Sequence, residues 1–379
     1  MANAGSTGTR PRSGPTLYHL ADVRLGGAFP FLGAAGAAHR GQVRETFVRA
    51  IDQALELKPA LVLITGNLFG TPFPSRDLAE FARTQLARLA RAGISTCVAA
   101  GALDAIYERH YAAGALADLD GVTVFPPTPK AVDLPALDLR VVGASWGSAP
   151  VQVDFLSAIA SQRSHRHLVG TCYLQWPEAE DGLRALRRQI AASGATYLAL
   201  GGSAVRRNVS TEKVAAWCPG APEMVVPEEG EGSPLLVALE SEPEVTPKPV
   251  ARRRFARFTL QPMAYETTED LATAIRALGD PHLAATVRLI GTSRINQFID
   301  VAELRQRLAH EFLALDIVDE SRPNLEDLDT AVYPELSVAG RFLAVARAEM
   351  ERAGSDEARR QIGAALRLGL ALLEGRRPT

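Results

Sequence analysis

The sequence predicts an α/β fold in which mainly parallel strands are flanked by helices. Short apolar segments alternate with amphipathic segments of helical spacing over much of the chain, and this alternation is typical of parallel sheets with helical crossovers. Several apolar segments end at a glycine, as strands buried on both faces often do. The chain has 379 residues, of which 47% are hydrophobic, so it can bury a sizeable core. In such folds the functional site lies in the loops after the carboxyl ends of the strands.

The first three elements form one β-α-β unit. Residues 16–23 (TLYHLADV) are an apolar segment that ends in a polar loop, which predicts a buried strand. Apolar side chains at helical spacing predict a helix over residues 44–57, and Pro59 ends it. Residues 60–65 (ALVLIT) are a continuous apolar run closed by Gly66, which predicts a second buried strand.

The same pattern continues along the chain. Residues 77–92 are amphipathic and predict a helix, and residues 94–100 (ISTCVAA) predict the strand that follows it. Another helix is expected over residues 181–193. Further strands are predicted over residues 139–143, 167–173 and 197–200.

A change in composition predicts a second domain. The segment 241–250 (SEPEVTPKPV) is rich in proline and charge and is interpreted as a connection that leaves the first domain. Beyond it, strands over residues 254–260 and 285–290 are expected around a helix over residues 270–278. The predicted organisation is a disordered leader, a first domain, a small α+β domain and a helical C-terminal segment, over residues 1–15, 16–245, 250–330 and 331–379.

Charge and cysteine content exclude few functions. The formal net charge is −2, so no overall positive field draws the chain to nucleic acid, and any such contact needs a local patch. Cys97, Cys172 and Cys218 lie far apart and form no CxxC pair, which argues against a zinc ribbon or a disulfide framework and favours a reducing cytoplasm. No run approaches the roughly 18 apolar residues that a membrane span needs.

Five segments at predicted strand ends carry a resemblance to a known family. In order and spacing they resemble the motifs of the calcineurin-like metallophosphoesterases of the SbcD/YhaO type, a family of DNA repair exonucleases. Any one of them alone would be a weak signal, and the resemblance extends over residues 16–240. The segments are HLADVRLGG (19–27), LVLITGNLF (61–69), GALD (101–104), YLALGGSAV (197–205) and WCPGAPE (217–223).

The resemblance implies a fold, a site and partners. The fold is a calcineurin-like phosphoesterase sandwich of mixed or parallel sheets flanked by helices, followed by a small α+β capping domain and a helical C-terminal segment. The site is one in which carboxylate, imidazole and amide ligands hold two cations that activate water and neutralise the phosphate. The implied partners are an SbcC/YhaN-like SMC-type ATPase, DNA, and a second copy of the chain in a homodimer.

A residue-by-residue comparison shows that most family ligands are replaced in the first two loops. Asp22 is retained, but the next ligand position is Arg24, a permanent cation that repels metals. The bridging aspartate of the second loop is Asn67, which offers an oxygen without a charge. The fourth motif of the family ends in a histidine, whereas residues 168–173 (LVGTCY) offer only Cys172 as a conceivable donor.

The remaining ligand positions are replaced as well. In the third loop the amide ligand corresponds to Ala102 and the catalytic histidine to Leu103, while Asp104 keeps its identity. The paired histidines of the last loop correspond to Gly202 and Ala204. With one clear ligand left of about seven, we expect no ordinary manganese-dependent nuclease activity and no bound cofactor, with Mn²⁺ relevant only if residual activity exists.

Several of these residues have an alternative, purely structural interpretation. Asp22 is expected to accept loop N–H bonds at the end of its strand, or else to retain some metal binding. His19 lies within the first strand and is expected to pack in the core. The cluster at residues 165–167 (HRH) stands at the start of a strand and is expected to lie on the surface.

Three arginines follow strands that end at the same predicted sheet edge. Arg24, Arg206 and Arg207 could hold a phosphate through paired guanidinium hydrogen bonds without any metal. The alternative is that they pair with Asp22, Asp104 or nearby glutamates.

These observations support three functional hypotheses. The leading one is a catalytically degenerate SbcD/YhaO homologue that acts as a DNA-binding or scaffold subunit beside an SMC-type ATPase. The second is a divergent phosphoesterase or exonuclease that uses Asp22, Asn67, Asp104 and Cys172 with one metal ion. The third is a stand-alone structural protein that retains the fold alone.

Overall fold

The computed structural model describes residues 14–104, 116, 118–147, 152–162, 165–294, 297, 299–324, 334 and 336–373. The chain divides into two compact units at the junction of Arg254 and Phe255. Except for Gly14 and Pro15, the leader predicted over residues 1–15 lies outside the described residues.

The described part of the first unit alternates strands and helices. Its helices are α1 (Gly36–Leu57), α2 (Arg76–Arg91), α3 (Gln152–Ala160) and α4 (Glu180–Ser193). Its strands are β1 (Thr16–Ala21), β2 (Leu61–Gly66), β3 (Ser95–Ala100), β4 (Val122–Val124), β5 (Lys130–Leu134), β6 (Leu139–Ala144), β7 (His167–Tyr173), β8 (Tyr197–Gly201), β9 (Arg207–Asn208), β10 (Ala215–Cys218), β11 (Leu235–Ala238) and β12 (Glu244–Pro247).

These strands form two six-stranded sheets. The first has the order β12-β11-β1-β2-β3-β4 and the second the order β5-β6-β7-β8-β10-β9. Strands β1 to β4 are parallel in the first sheet, and β6, β7, β8 and β10 are parallel in the second. The remaining strands pair antiparallel at the edges. The predicted α/β class, with parallel and mixed sheets flanked by helices, is confirmed.

The two sheets pack face to face with helices outside them. One apolar cluster takes side chains from both inner faces, such as Leu63 of β2 and Val169 of β7. On the outer face of the second sheet, Ile190 of α4 belongs to another cluster. On the outer face of the first sheet, the Tyr18 hydroxyl donates to Gln53 Oε1 of α1 at 2.8 Å. The layers are therefore helix, sheet, sheet, helix.

Two buried polar contacts cross the interface between the sheets. Thr65 Oγ1 of β2 and Thr171 Oγ1 of β7 lie 2.8 Å apart. His19 Nδ1 of β1 lies 2.9 Å from the Tyr197 hydroxyl of β8. The prediction that His19 packs in the core is confirmed, since its side chain is fully buried.

The buried imidazole predicts a pH dependence of stability. Burial lowers the pKa of His19 to about 3, whereas a histidine in the unfolded chain keeps a pKa of about 6.5. As the pH falls below 6.5, the unfolded state gains a proton that the folded state does not. We therefore expect His19 to cost up to about 1.4 kcal/mol of unfolding free energy per pH unit down to about pH 3.

Urea unfolding of the wild type and of His19→Gln at about pH 7.5 and about pH 5 measures this contribution. Burial also lowers the pKa of His39 and of His167 and raises that of Asp104, but these groups are present in both proteins and cancel in the difference. The wild type should lose more stability between the two pH values than the variant. Equal losses would contradict a neutral His19.

Three local expectations in the first unit are wrong. Helix α1 begins at Gly36 rather than at residue 44. Its first turns were not predicted because the polar His39 lies on their buried face. The predicted connection over residues 241–250 contains β12, which pairs with β11 and packs Val245 against the core. His167 is buried rather than on the surface, because β7 begins beside β6 within the sheet.

The second unit is a smaller α+β assembly with a three-stranded sheet. The strand predicted over residues 254–260 is present with these bounds, and the strand predicted over residues 285–290 and the helix predicted over residues 270–278 are present with shifted bounds. The helix Val301–Leu308 and the strand Phe312–Asp319 after it were not predicted. The described elements are β13 (Arg254–Leu260), α5 (Thr268–Arg276), β14 (Asp280–Leu289), β15 (Thr292–Ser293), α6 (Val301–Leu308), β16 (Phe312–Asp319), β17 (Arg322–Pro323), α7 (Val338–Arg352) and α8 (Asp356–Leu373).

The described part of the predicted helical C-terminal segment contains α7 and α8, and these two helices pack against each other. Their shared cluster includes the buried Leu343, Leu366 and Leu370. Other apolar side chains on the same helices remain exposed, such as Val345 at 63% and Leu372 at 55%. Within the described part of the chain, no helix is both long and apolar enough to cross a lipid bilayer.

Candidate functional site

The loops that follow β1, β2, β3 and β8 meet at one end of the two sheets. The Arg24 N–H in the first loop donates to the Asn67 carbonyl in the second at 2.9 Å. The Gly202 N–H after β8 donates to Asp22 Oδ2 at 2.6 Å, which joins the two sheets. We call this region the strand-end site, and its members are Asp22, Arg24, Asn67, Asp104 and Gly202.

Asp22 is fully buried, and both of its carboxylate oxygens accept hydrogen bonds. Oδ1 accepts from Asn67 Nδ2 at 2.7 Å and more weakly from the Asn67 N–H at 3.4 Å, while Oδ2 accepts from Gly202. Burial raises the pKa of Asp22, and the charge of Arg24 and these hydrogen bonds oppose the rise. The expectation that Asp22 accepts loop N–H bonds is confirmed, and the donors belong to the loops after β2 and β8.

Asn67 connects the second and third loops. Its Nδ2 donates to Asp22, and its Oδ1 accepts from the Leu103 N–H at 2.7 Å. The side chain is fully buried. The Asn67 side-chain oxygen, which is the atom that could bind a cation, therefore accepts a hydrogen bond within the protein instead.

Asp104 links the third loop to the second through hydrogen bonds. Its Oδ2 accepts from the Leu68 N–H at 2.8 Å, and its Oδ1 accepts from the N–H groups of Phe69 at 3.1 Å and Gly70 at 3.0 Å. Burial raises the pKa of Asp104 to about 7, and the nearby Asp22 adds to the rise, whereas the three N–H groups oppose it. A carboxylate that accepts three backbone bonds stabilises a loop conformation.

The other positions that the family resemblance pointed to offer no metal-binding side chain at residues 102, 103 and 202. Ala102 and Leu103 begin a single helical turn before Asp104, and Leu103 is 41% exposed. Gly202 has a φ of +94°, and a Cβ atom there would lie 2.0 Å from the Leu174 carbonyl oxygen. A histidine side chain at position 202 is therefore incompatible with this backbone.

Residues of the strand-end site do not fit a dinuclear metal centre. Among the residues that the structure describes, no group of three or more His, Cys, Asp and Glu side chains is placed to hold a metal ion. A cation would also have to displace the hydrogen bonds to Asp22 and Asp104. Two divalent ions further require negative charge that Asn67 does not supply.

The suggestion that Cys172 could act as a donor is wrong. Side chains alternate along β7, and Thr171 points into the interface between the sheets, where it contacts Thr65. Cys172 points to the opposite face and packs in the cluster that includes Ile190 of α4. Burial raises the pKa of its thiol far above the ordinary value.

Tyr173, which follows Cys172, is the site residue that the sequence comparison missed. Burial raises the pKa of its hydroxyl and the charge of Asp22 adds to this, while a hydrogen bond with Asn67 and the charge of Arg24 oppose the rise. The Tyr173 ring meets the Trp146 ring edge to face at a centroid distance of 5.4 Å. Strand parity could have identified Tyr173, because it is the last residue of β7 on the inner face.

The Trp176 side chain contacts the end of β8. Its Nε1 donates to the Gly201 carbonyl at 3.1 Å. The Arg207 guanidinium carbon lies over the Trp176 ring, 5.3 Å from the ring centroid, and Arg207 Nε donates to Ser203 Oγ at 2.9 Å. These contacts hold one of the three candidate arginines in a fixed position.

The other two arginines differ in their surroundings. Arg206 Nη1 donates to Ser233 Oγ at 3.2 Å. Arg24 is half-buried, and its Nε is fully enclosed without a hydrogen-bond partner among the described residues. Within that part of the chain, none of Arg24, Arg206 and Arg207 forms a salt bridge with a carboxylate. The charge of Arg24 nevertheless acts on Asp22 and opposes the rise of its pKa.

Fold and site together define an α/β/β/α protein with a hydrogen-bonded strand-end site beside the half-buried Arg24. No family model and no curated protein matches the sequence. Solved structures resemble it at low identity. The protein TT1561 of Thermus thermophilus is 13% identical, with 62% of this chain and 99% of that chain covered and a TM-score of 0.41.

Two further solved structures are similar to the chain at the same low level. A glutamine-dependent NAD⁺ synthetase from Acinetobacter baumannii, in complex with ADP, is 9% identical, covers 96% of this chain and 73% of its own, and has a TM-score of 0.36. A mutant of the Nesterenkonia AN1 amidase from the nitrilase superfamily is 14% identical, covers 63% and 88%, and has a TM-score of 0.31. Similarities of this size assign neither a family nor an activity.

Proposed function

We propose that the chain is a catalytically degenerate homologue of the SbcD/YhaO-type DNA repair exonucleases, acting in the cytoplasm as a non-catalytic DNA-binding or scaffold subunit. In this proposal the two-sheet unit is a calcineurin-like phosphoesterase sandwich and the second unit contains the capping domain. The order of the five strand-end segments supports the assignment, because four of the loops that carry them meet at one end of the sheets.

One observation carries the non-catalytic part of the proposal. The family positions that retain an oxygen, at Asp22, Asn67 and Asp104, use their oxygens to hold the loops together. Beside them, the position of a metal-binding histidine corresponds to Arg24, a half-buried permanent cation that forms no salt bridge among the described residues. A site of this kind favours an anion from solution and disfavours cations.

The anion that fits the proposal is a phosphate of a DNA backbone. A guanidinium forms paired hydrogen bonds with phosphate oxygens and needs no metal to do so. Arg206 and Arg207 follow Gly202 in the segment after β8, and the Gly202 N–H donates a hydrogen bond to Asp22. The formal net charge of −2 makes such a local cluster the means by which the chain would attract a polyanion.

Exposed apolar side chains on α7 and α8 support the partner part of the proposal. Val338, Val345, Leu368 and Leu372 are between 43% and 72% exposed. Apolar side chains grouped on two helices commonly mark a protein contact. We propose that an SbcC/YhaN-like SMC-type ATPase covers this surface, and that the chain forms a homodimer as its proposed relatives do.

Loss of the site arginines is expected to weaken DNA binding. The double variant Arg24→Ala with Arg206→Ala should bind duplex DNA about tenfold more weakly, because two charge-assisted phosphate contacts are lost. The slope of log K against log salt should fall by about 2. Fluorescence anisotropy with a labelled duplex at several salt concentrations measures both quantities.

Arg91→Ala is the matched control, since Arg91 is an exposed arginine at the end of α2 and should leave binding unchanged. Unchanged binding by the double variant would remove the DNA-binding proposal. Metal analysis of the purified protein tests the non-catalytic proposal separately. About two equivalents of manganese, with duplex cleavage that is lost on Asp22→Ala, would establish an active enzyme instead.

A further inference from the structure

A polar groove lies on the first unit between α1 and residues 249–252, the segment that follows β12. Its volume is about 450 Å³, which suits a small molecule. Helix α1 lines the groove with one face, because the contributing side chains are spaced at helical intervals. They are Arg49, Asp52, Gln53 and Glu56. The groove shares no residue with the strand-end site.

The segment along the groove is held in place by the carboxylate of Glu223, which is 1% exposed. This carboxylate accepts hydrogen bonds from the Arg252 N–H at 3.1 Å and the Arg253 N–H at 2.9 Å. From α1, Arg49 Nε and Nη2 donate to the Val250 carbonyl at 3.1 Å and 2.9 Å. Both sides of the groove are therefore fixed by contacts within the protein, and a preformed site binds its ligand at a smaller entropic cost.

Two opposite charges in the groove have no hydrogen-bond or salt-bridge partner among the described residues. They are the side chains of Arg252 and Glu56, and both residues are exposed. The other acidic side chain of the groove is already paired, since Asp52 Oδ1 accepts from Arg88 Nη2 at 2.5 Å. Arg252 and Glu56 are therefore the charges that a ligand from solution can neutralise.

These two charges lie at different points along the groove. Arg252 is two residues beyond Val250, to which Arg49 is bonded. Burial, followed by the charge of Arg252, lowers the pKa of Arg49, so the two arginines form one cationic end. Glu56 follows Arg49 by two turns of α1, which is about 10 Å along the helix axis. The groove therefore presents a positive end and a negative end to one ligand.

A ligand that matches this groove carries an anionic group and a cationic group joined by a short chain. We propose that the groove binds a small linear zwitterion of the basic amino-acid type, with its carboxylate at Arg252 and Arg49 and its ammonium or guanidinium group at Glu56. Both contacts are charge-assisted hydrogen bonds, which are the stronger kind. The site and its ligand are separate from the proposed DNA-binding function.

The mixture of charges favours a zwitterion over a simple ion. A simple anion at the arginines would leave Glu56 unpaired, and a simple cation at Glu56 would leave Arg252 unpaired. A DNA backbone carries negative charge only, so Asp52 and Glu56 disfavour it in this groove. A zwitterion of suitable length neutralises both ends at once.

Isothermal titration calorimetry at low salt with three small molecules tests the proposal. Nα-acetyl-L-arginine carries one carboxylate and one guanidinium group. N-acetylagmatine lacks the carboxylate, and Nα-acetyl-L-citrulline has an uncharged group of similar shape in place of the guanidinium. The wild type should bind acetylarginine about tenfold more tightly than either analogue, because each analogue loses one charge-assisted contact.

Two variants assign the ends of the groove. Arg252→Ala should bind acetylarginine about tenfold more weakly and acetylagmatine as the wild type does, because acetylagmatine has no carboxylate. Glu56→Gln should weaken acetylarginine binding by a similar factor and leave acetylcitrulline binding unchanged. Arg187→Ala, which removes an exposed arginine from α4, is the matched control and should bind all three molecules as the wild type does.

Several results would overturn the proposal. Equal affinity of the wild type for the three molecules would do so, as would no heat of binding with acetylarginine at millimolar concentration. An acetylarginine affinity that Arg252→Ala and Glu56→Gln both leave unchanged would place any binding elsewhere. An equal loss for all three molecules in Arg252→Ala, with an unchanged unfolding midpoint, would show that Arg252 does not act on the carboxylate. Duplex binding by the Arg24 and Arg206 variants tests the DNA proposal independently of these results.

Discussion

Replacing Asp104 by alanine is expected to destabilise the first unit by about 3 kcal/mol or more, because three buried backbone N–H groups lose their acceptor. These are the N–H groups of Leu68, Phe69 and Gly70. Urea unfolding measures the loss, and tryptophan fluorescence reports on the correct unit, since the three tryptophans of the chain, at positions 146, 176 and 217, precede the junction at Arg254.

Two further variants make the Asp104 result specific. Asp104→Asn keeps one acceptor oxygen, so it should lose less stability than Asp104→Ala. Asp120→Ala removes an exposed aspartate from a turn and should change stability little. If the urea midpoint of Asp104→Ala equalled that of the wild type, the carboxylate would not stabilise the loop.

Replacing Gly202 by alanine is expected to be comparably damaging, by about 3 kcal/mol, because a side chain there is strained and displaces its neighbours. The φ of +94° disfavours every residue except glycine, and the added Cβ would lie 2.0 Å from the Leu174 carbonyl oxygen. Moving the backbone to relieve this contact would also break the bond from the Gly202 N–H to Asp22.

Gly41 provides the matched control for Gly202. It is exposed in the middle of α1, and a Cβ there would meet no atom within 4 Å. Gly41→Ala should therefore stabilise the protein by up to about 1 kcal/mol through helix propensity. Equal effects at the two positions would contradict the steric argument, and a wild-type midpoint for Gly202→Ala would show that the loop relaxes freely.

The Gly202 prediction bears on whether the metal site of the proposed family could be built into this chain. In the proposed family this position is a histidine, so the simplest restoration is a histidine at position 202. The backbone after β8 has instead settled where no side chain fits, and its N–H is bonded to Asp22. Restoring single ligands should therefore destabilise the fold before it recovers metal binding.

Much of the first unit could be predicted from the sequence because apolar runs and helical spacing are local signals. The strand over residues 167–173 was predicted with its observed bounds. The assignment of each strand to one of two sheets does not follow from the apolar pattern, because it depends on pairing between distant residues, such as β1 with β11. The start of α1 was missed because His39 is a polar residue on the buried face.

The site was predictable in position but only partly in content. Strand ends placed Asp22, Asn67 and Asp104 together, and the structure confirms that they meet. Comparison with a ligand pattern directed attention to Cys172, whose side chain points away from the site. Tyr173 and Trp146 were overlooked because aromatic residues are not metal ligands, although strand parity places Tyr173 on the inner face.

The two polar contacts between the sheets have a consequence for motion. The Thr65–Thr171 and His19–Tyr197 contacts join different strand pairs, so together they resist both sliding and rotation of one sheet against the other. The loops of the strand-end site come from both sheets and are joined by the bond from the Gly202 N–H to Asp22. The spacing of these loops is therefore set by the contacts that hold the two sheets together.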